Sequence, residues 1–156
     1  MEQIRTLAVI IARLTSSRLP KKQLKEIAGK PLIYRTLERI KKVSGIDKII
    51  LATGPEEENK ELADYLKQFG VETFFHNDVN NVTGRIAAAA VYYNAEFVLT
   101  VSGDCPLADP EFMEAGLSLL MQGKCDYVKP DIENYKSLHE GIEFFTADLW
   151  KKISEL

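Results

Sequence analysis

The stretch Thr6–Lys22, TLAVIIARLTSSRLPKK, limits the possible folds more than any other part of the chain. It opens with an unbroken apolar run, Leu7-Ala8-Val9-Ile10-Ile11-Ala12, of the kind a parallel sheet buries on both faces. The run gives way within one residue to a polar loop carrying Arg13, Thr15, Ser16, Ser17, Arg18, Lys21 and Lys22. Pro20 prevents that loop from continuing as a helix or a central strand. Open α/β sheets bind ligands outside the carboxyl ends of their strands, where this loop would lie. No Asp or Glu occurs between Gln3 and Lys25, although the whole chain has a formal net charge of −3. A positive field confined to one loop of an acidic protein predicts a small anionic ligand, with phosphate the leading candidate.

Downstream, strand and helix patterns alternate. Pro31 marks a helix start, with Ile33, Leu37 and Ile40 at helical spacing, and Lys48–Thr53 reads as a strand. Glu56, Glu57 and Glu58 suit the positive first turn of a helix whose buried stripe is Leu62, Leu66 and Phe69 and whose cap is Gly70. A strand is predicted over Val71–Phe75 and a helix over the alanine-rich Asn80–Tyr93. The strand Phe97–Val101 delivers the loop Ser102-Gly103-Asp104-Cys105-Pro106. Asp109 and Pro110 then start a helix with Met113, Leu117 and Leu120 inward. Two short strands, Asp126–Lys129 and Gly141–Phe145, precede a helix from near Thr146 that places Leu149, Ile153 and Leu156 on one face. This order predicts a single α/β domain over residues 1–156, a Rossmann-like three-layer sandwich with a mainly parallel sheet. It also sets the carboxyl ends of the first and fourth strands side by side, so the loop after Ala12 and Asp104 meet.

At that rim, Arg13, Arg18 and Lys22 facing the lone carboxylate of Asp104 describe a polyphosphate site with a divalent ion. Backbone N–H groups around Thr15-Ser16-Ser17 suit an anion-binding nest. Mg²⁺ is commonly held by one or two carboxylates with substrate phosphates and water, a minimum that Asp104 meets. Neither G-x-x-x-x-G-K-[ST] nor G-x-G-x-x-G occurs. A pI near 5.5 argues against a nucleic-acid partner. The apolar runs are too short to span a bilayer, and no secretory leader is visible, so no membrane partner and a cytoplasmic location are expected. Cys105 and Cys125 have neither metal-ligand nor disulfide-framework spacing.

The segments IIARLTSSRLPKKQL, IAGKPLI, KIILATG and LTVSGDCPLADPE together resemble the acylneuraminate cytidylyltransferase family. That family includes the synthetases of CMP-linked sialic acids and Kdo, and related spore-coat polysaccharide biosynthesis proteins. The resemblance implies a fold of the nucleotide-diphospho-sugar transferase type. It also implies transfer of CMP from CTP to a sugar acid, with release of pyrophosphate, in sugar-nucleotide or surface-polysaccharide biosynthesis. Ala12, Arg13, Ser16, Ser17, Arg18, Lys22 and Arg85 would then bind the nucleotide, with Arg13, Lys22 and Asp104 catalytic and Asp104 on Mg²⁺. His139, Glu140 and Glu143 would meet the sugar.

This chain has Thr15 and Lys21 where the family usually has Gly, and Gly84 where an acid usually precedes the arginine. Relatives carry a second metal carboxylate in a part beyond the point where this sequence stops. Glu143 or a partner chain is expected to replace it, unless the sequence is a C-terminally truncated piece of a longer protein or the domain binds nucleotides without catalysis; a base other than cytosine stays open. A homodimer is a further expectation, although residues 130–138 are short for the arm that relatives use. His76, Cys105, Trp150 and the Tyr92-Tyr93 pair read as structural, and the Glu56–Glu61 cluster reads as a solvated helix start.

Overall fold

The computed structural model describes residues 4–15, 18–130 and 141–154. Ser16, Ser17, His139, Glu140 and Leu156, all singled out above, lie outside them. Among the described residues there are eight strands and five α-helices, and all but the unexpected β2 and β3 follow the predicted alternation: β1 (Ile4–Ile11), β2 (Glu26–Ile27), β3 (Lys30–Pro31), α1 (Leu32–Ile40), β4 (Lys48–Thr53), α2 (Glu56–Lys67) and β5 (Glu72–Phe75) come first. Then come α3 (Val82–Tyr92), β6 (Ala95–Ser102), α4 (Pro110–Met121), β7 (Tyr127–Val128), β8 (Ile142–Thr146) and α5 (Ala147–Ser154). Six strands form one sheet in the order β5-β4-β1-β6-β8-β7, while β2 and β3 pair as a separate antiparallel ribbon.

β1 is central, parallel to β4 on one side and to β6 on the other. Its apolar run fills both faces of the sheet. Ala8 and Ile10 join α1, α2 and α4 in one core, while Leu7 and Val9 join α3 and α5 in the other. Its residues from Thr6 to Ile10 are almost completely buried. β5-β4-β1-β6 are parallel, whereas β8 runs antiparallel to β6 and β7 to β8, so the sheet is mixed at one end.

The predicted buried stripes of α1, α2 and α4 point inward, with Ile33, Leu37, Leu62, Leu66, Met113 and Leu120 inaccessible. Three expectations shift. Pro31 is the residue before α1 rather than its first, because it closes the β2–β3 ribbon by pairing with Glu26. α3 begins at Val82 rather than Asn80, because Asn81 leaves the helical conformation to cap it, its Oδ1 accepting the Gly84 N–H at 2.7 Å. Ile153 is 41% exposed, since Leu149 and Trp150 already fill the contact of α5 with the sheet.

Candidate nucleotide site

The register Ile11↔Ser102 ends β1 and β6 level with each other, so their following loops leave the sheet together. Gly103 sits at the closest approach. Its N–H donates to the Ile11 carbonyl at 2.9 Å, and a Cβ there would stand 2.7 Å from the Ala12 Cβ and 2.8 Å from the Ile33 Cδ1. Only glycine fits that gap, which is the steric reason for G-D in this loop. The buried Thr36 hydroxyl of α1 donates to the Gly103 carbonyl at 2.9 Å and fixes the next residue, Asp104, from below.

Asp104 accepts hydrogen bonds from Lys22 Nζ and, at 2.5 Å, from Ser102 Oγ. Burial works to raise its pKa, but the bonds from Lys22 and Ser102 outweigh that and hold the carboxyl below its usual range. The cation of the first loop and the acid of the second thus meet directly across more than eighty residues of sequence. Ala12, Arg13, Arg18, Lys22, Ser102 and Asp104 all line one cavity of about 330 Å³. A larger concavity of about 800 Å³ runs beside β5, but none of the site residues expected from the sequence line it. The smaller cavity is the one with the chemistry.

Arg85, from the first turns of α3, closes the far wall of that cavity. It is only 2% exposed, and its Nε and Nη1 have no hydrogen-bond partner among the described residues. Burial first, and then the neighbouring Arg13 guanidinium, pull its pKa below the usual arginine value, with Asp78 opposing. Two guanidiniums near each other, one of them buried with unpartnered donors, make a strong anion receptor. The Gly84 departure suits its surroundings: a Cβ at Gly84 would lie 2.6–2.8 Å from the Asn81 side chain, which would have to leave its capping position.

Gln23, Val79, Asn80 and Val82 also line the cavity without having been singled out in the sequence. Gln23 is 2% exposed, and its Oε1 has no hydrogen-bond partner among the described residues. Its place directly after Lys22 was the only sequence signal for it. Lys21 does not line the cavity. It takes the left-handed conformation (φ 54°) that favours glycine, and its Nζ reaches Glu61 of α2 at 2.5 Å. Glu61, exposed as expected of a solvated helix start, is thus also a contact to the loop.

Glu143 lies on β8 opposite Thr100 and accepts the Tyr127 hydroxyl at 2.6 Å. It is not among the residues that line the cavity with Asp104. Among the described residues no group of three His, Cys, Asp or Glu side chains could hold a metal, and no helix is long and apolar enough to cross a membrane. Of the residues read as structural, Trp150 stacks on Phe145 at 4.1 Å, and its indole N–H donates to the Thr83 carbonyl.

Comparison with known proteins places the chain in a family. The family model for cytidylyltransferases matches residues 7–153. A 3-deoxy-manno-octulosonate cytidylyltransferase of Chloroherpeton thalassium is 36% identical over 115 residues, which is 73% of this chain and 45% of that protein. One from Francisella tularensis subsp. tularensis is 39% identical over 117 residues, 72% of this chain and 45% of that protein. The chain thus spans about half the length of these curated relatives. Among solved structures, a cytidylyltransferase from Leptospira borgpetersenii serovar Hardjo-bovis superposes with TM-score 0.88 at 25% identity, over 99% of this chain and 65% of that one. A CMP:2-keto-3-deoxy-manno-octonic acid synthetase complexed with CTP superposes at TM-score 0.80 and 22% identity, over 97% and 78%, a likeness of fold. The fold is therefore of the nucleotide-diphospho-sugar transferase type, and the chain belongs to the cytidylyltransferase family.

Proposed function

We propose that this chain binds CTP in the 330 Å³ cavity and takes part in transferring CMP to the hydroxyl of a sugar acid. The observation that carries the reading is the convergence of Arg13, Arg18, Lys22 and Arg85 around Asp104, from three separate segments. In the reaction, a sugar hydroxyl oxygen bonds to the α-phosphorus and loses its proton. The bond from that phosphorus to the bridging oxygen breaks, and pyrophosphate leaves with the electron pair. Arg13 and Arg85 would hold phosphate oxygens and neutralise charge growing on the leaving group. Lys22, now on Asp104, would share itself between that carboxylate and the phosphates.

The donor set fits Mg²⁺ in its minimal form. Asp104 is an ionised carboxylate at the cavity wall, and the remaining ligands would come from phosphate and water. When bound, the ion would supply charge neutralisation at the transferring phosphoryl group. The acceptor follows from what the relatives are named for, a 3-deoxy-manno-octulosonate, and a related sugar acid is the substrate class proposed here.

Pyrophosphate release from CTP with a panel of sugar acids tests the proposal, with Asp104→Ala as the control. Turnover that Asp104→Ala reduces at least a hundredfold is expected; no turnover with any acceptor overturns it. A second reading is favoured by Asp104 being the one acidic side chain that lines the cavity among the described residues: nucleotide binding without transfer. Calorimetry separates the two, since this reading predicts CTP affinity in a chain that makes no pyrophosphate.

A further inference from the structure

The loop that supplies Arg13, Arg18 and Lys22 is fastened to α2 at both ends, by residues outside the cavity. Asn59, in the first turns of α2, is completely buried. Its Oδ1 accepts the Leu14 N–H at 2.9 Å, and its Nδ2 donates to the Pro55 carbonyl at 2.9 Å. These two demands, one acceptor and one donor, are met together by the side-chain amide and set its direction. Leu14 is the residue directly after Arg13, and its carbonyl accepts the Lys21 N–H at 3.1 Å, closing the neck of the loop. At the far end of the loop, Lys21 Nζ pairs with Glu61, two residues on from Asn59 in α2. Lys22 follows and reaches Asp104. Gly54 leaves room for this arrangement, because a Cβ there would stand 3.2 Å from Asn59 Nδ2.

We propose that Asn59 is a positioning residue for phosphate binding: by holding the Leu14 amide it sets where Arg13 and the neck of the loop enter the cavity. The proposal rests on the nucleotide-site reading above. Neither Asn59 nor Leu14 lines the cavity, so the effect passes through the backbone and not through ligand contact. A loop of this kind has many conformations, and a misaligned guanidinium loses its geometric match to phosphate oxygens. The Lys21–Glu61 pair is exposed and contributes less.

The test measures binding of tripolyphosphate and of CTP, each with Mg²⁺, by calorimetry on the full chain. Asn59→Leu, close in size but with no polar atom, should weaken both probes by about tenfold, the scale of one buried hydrogen bond. Asn59→Asp, which keeps an acceptor for Leu14 and, in its protonated form, a donor to the Pro55 carbonyl, should stay within about threefold. Hydrogen exchange should show the Leu14 amide protected in wild type and in Asn59→Asp, and exposed in Asn59→Leu. Asn59→Ser, whose hydroxyl is too short to reach Leu14, serves if Asn59→Leu does not fold, with the same expected losses. Wild-type tripolyphosphate affinity in Asn59→Leu or Asn59→Ser, or a Leu14 amide that stays protected there, overturns the proposal. Absence of CTP and tripolyphosphate binding by the wild type would instead sink the functional reading. A wild type that binds, and that Arg13→Ala weakens while both Asn59 variants leave binding intact, sinks this inference alone.

Discussion

Burying the Arg85 guanidinium with two nitrogens unpartnered among the described residues costs stability on physical grounds, which an anion held there would offset. Stability and function therefore pull apart at this residue. Arg85→Met should raise stability by about 1–2 kcal/mol in denaturant unfolding, while weakening CTP binding at least tenfold by calorimetry. A variant that is less stable and binds CTP normally would show that the guanidinium is structural. Residues differ in how openly the sequence announced them. Arg13 and Asp104 stood out because each closely follows a recognisable strand, and Lys22 because it belongs to a cationic loop free of acids. Asn59 and Glu61 did not, because their partners Leu14 and Lys21 lie 45 and 40 positions away and leave no local pattern. Gln23 was hidden by ordinary composition.

Elements with local signals were legible. β1 follows from its apolar run, and α4 from Asp109 and Pro110, with the Asp109 side chain accepting the Glu111 N–H as expected of a cap. The mixed end of the sheet was less so, since two short strands carry no sign of their direction. α4 packs on that end through Gly116, where a Cβ would stand 2.3 Å from the buried Phe144 ring. Gly116→Ala should therefore destabilise the fold by about 1–3 kcal/mol through overpacking, read from the denaturant midpoint at unchanged slope. β7 is tied to β8 by the Tyr127–Glu143 bond, and burial together with that bond pushes the Tyr127 hydroxyl up to about 12. An unfolded tyrosine ionises near 10. The folded state therefore holds its proton longer, and the stability this adds is complete below about pH 10 and lost as pH rises toward 12. Tyr127→Phe should flatten the fall in melting temperature over that window; an identical slope in both proteins would remove the assignment.

Across the whole molecule, one physical event organises the rest: parallel pairing of β1 with both β4 and β6 carries the cationic loop, the Asp104 loop and the start of α3 to the same rim. The sequence signalled that meeting of loops through strand order, but it could not show that Arg85 would be buried or that Glu143 would bond to Tyr127. The larger concavity beside β5 offers a competing location for any ligand and makes the assignment refutable by position as well as by affinity. A crystal structure of the chain soaked with CTP and Mg²⁺ decides between them. The triphosphate should lie within hydrogen-bonding distance of Arg13 and Arg85, with Lys22 drawn toward it from Asp104. Nucleotide density in the β5 concavity, with Arg85 still unpartnered, would contradict it.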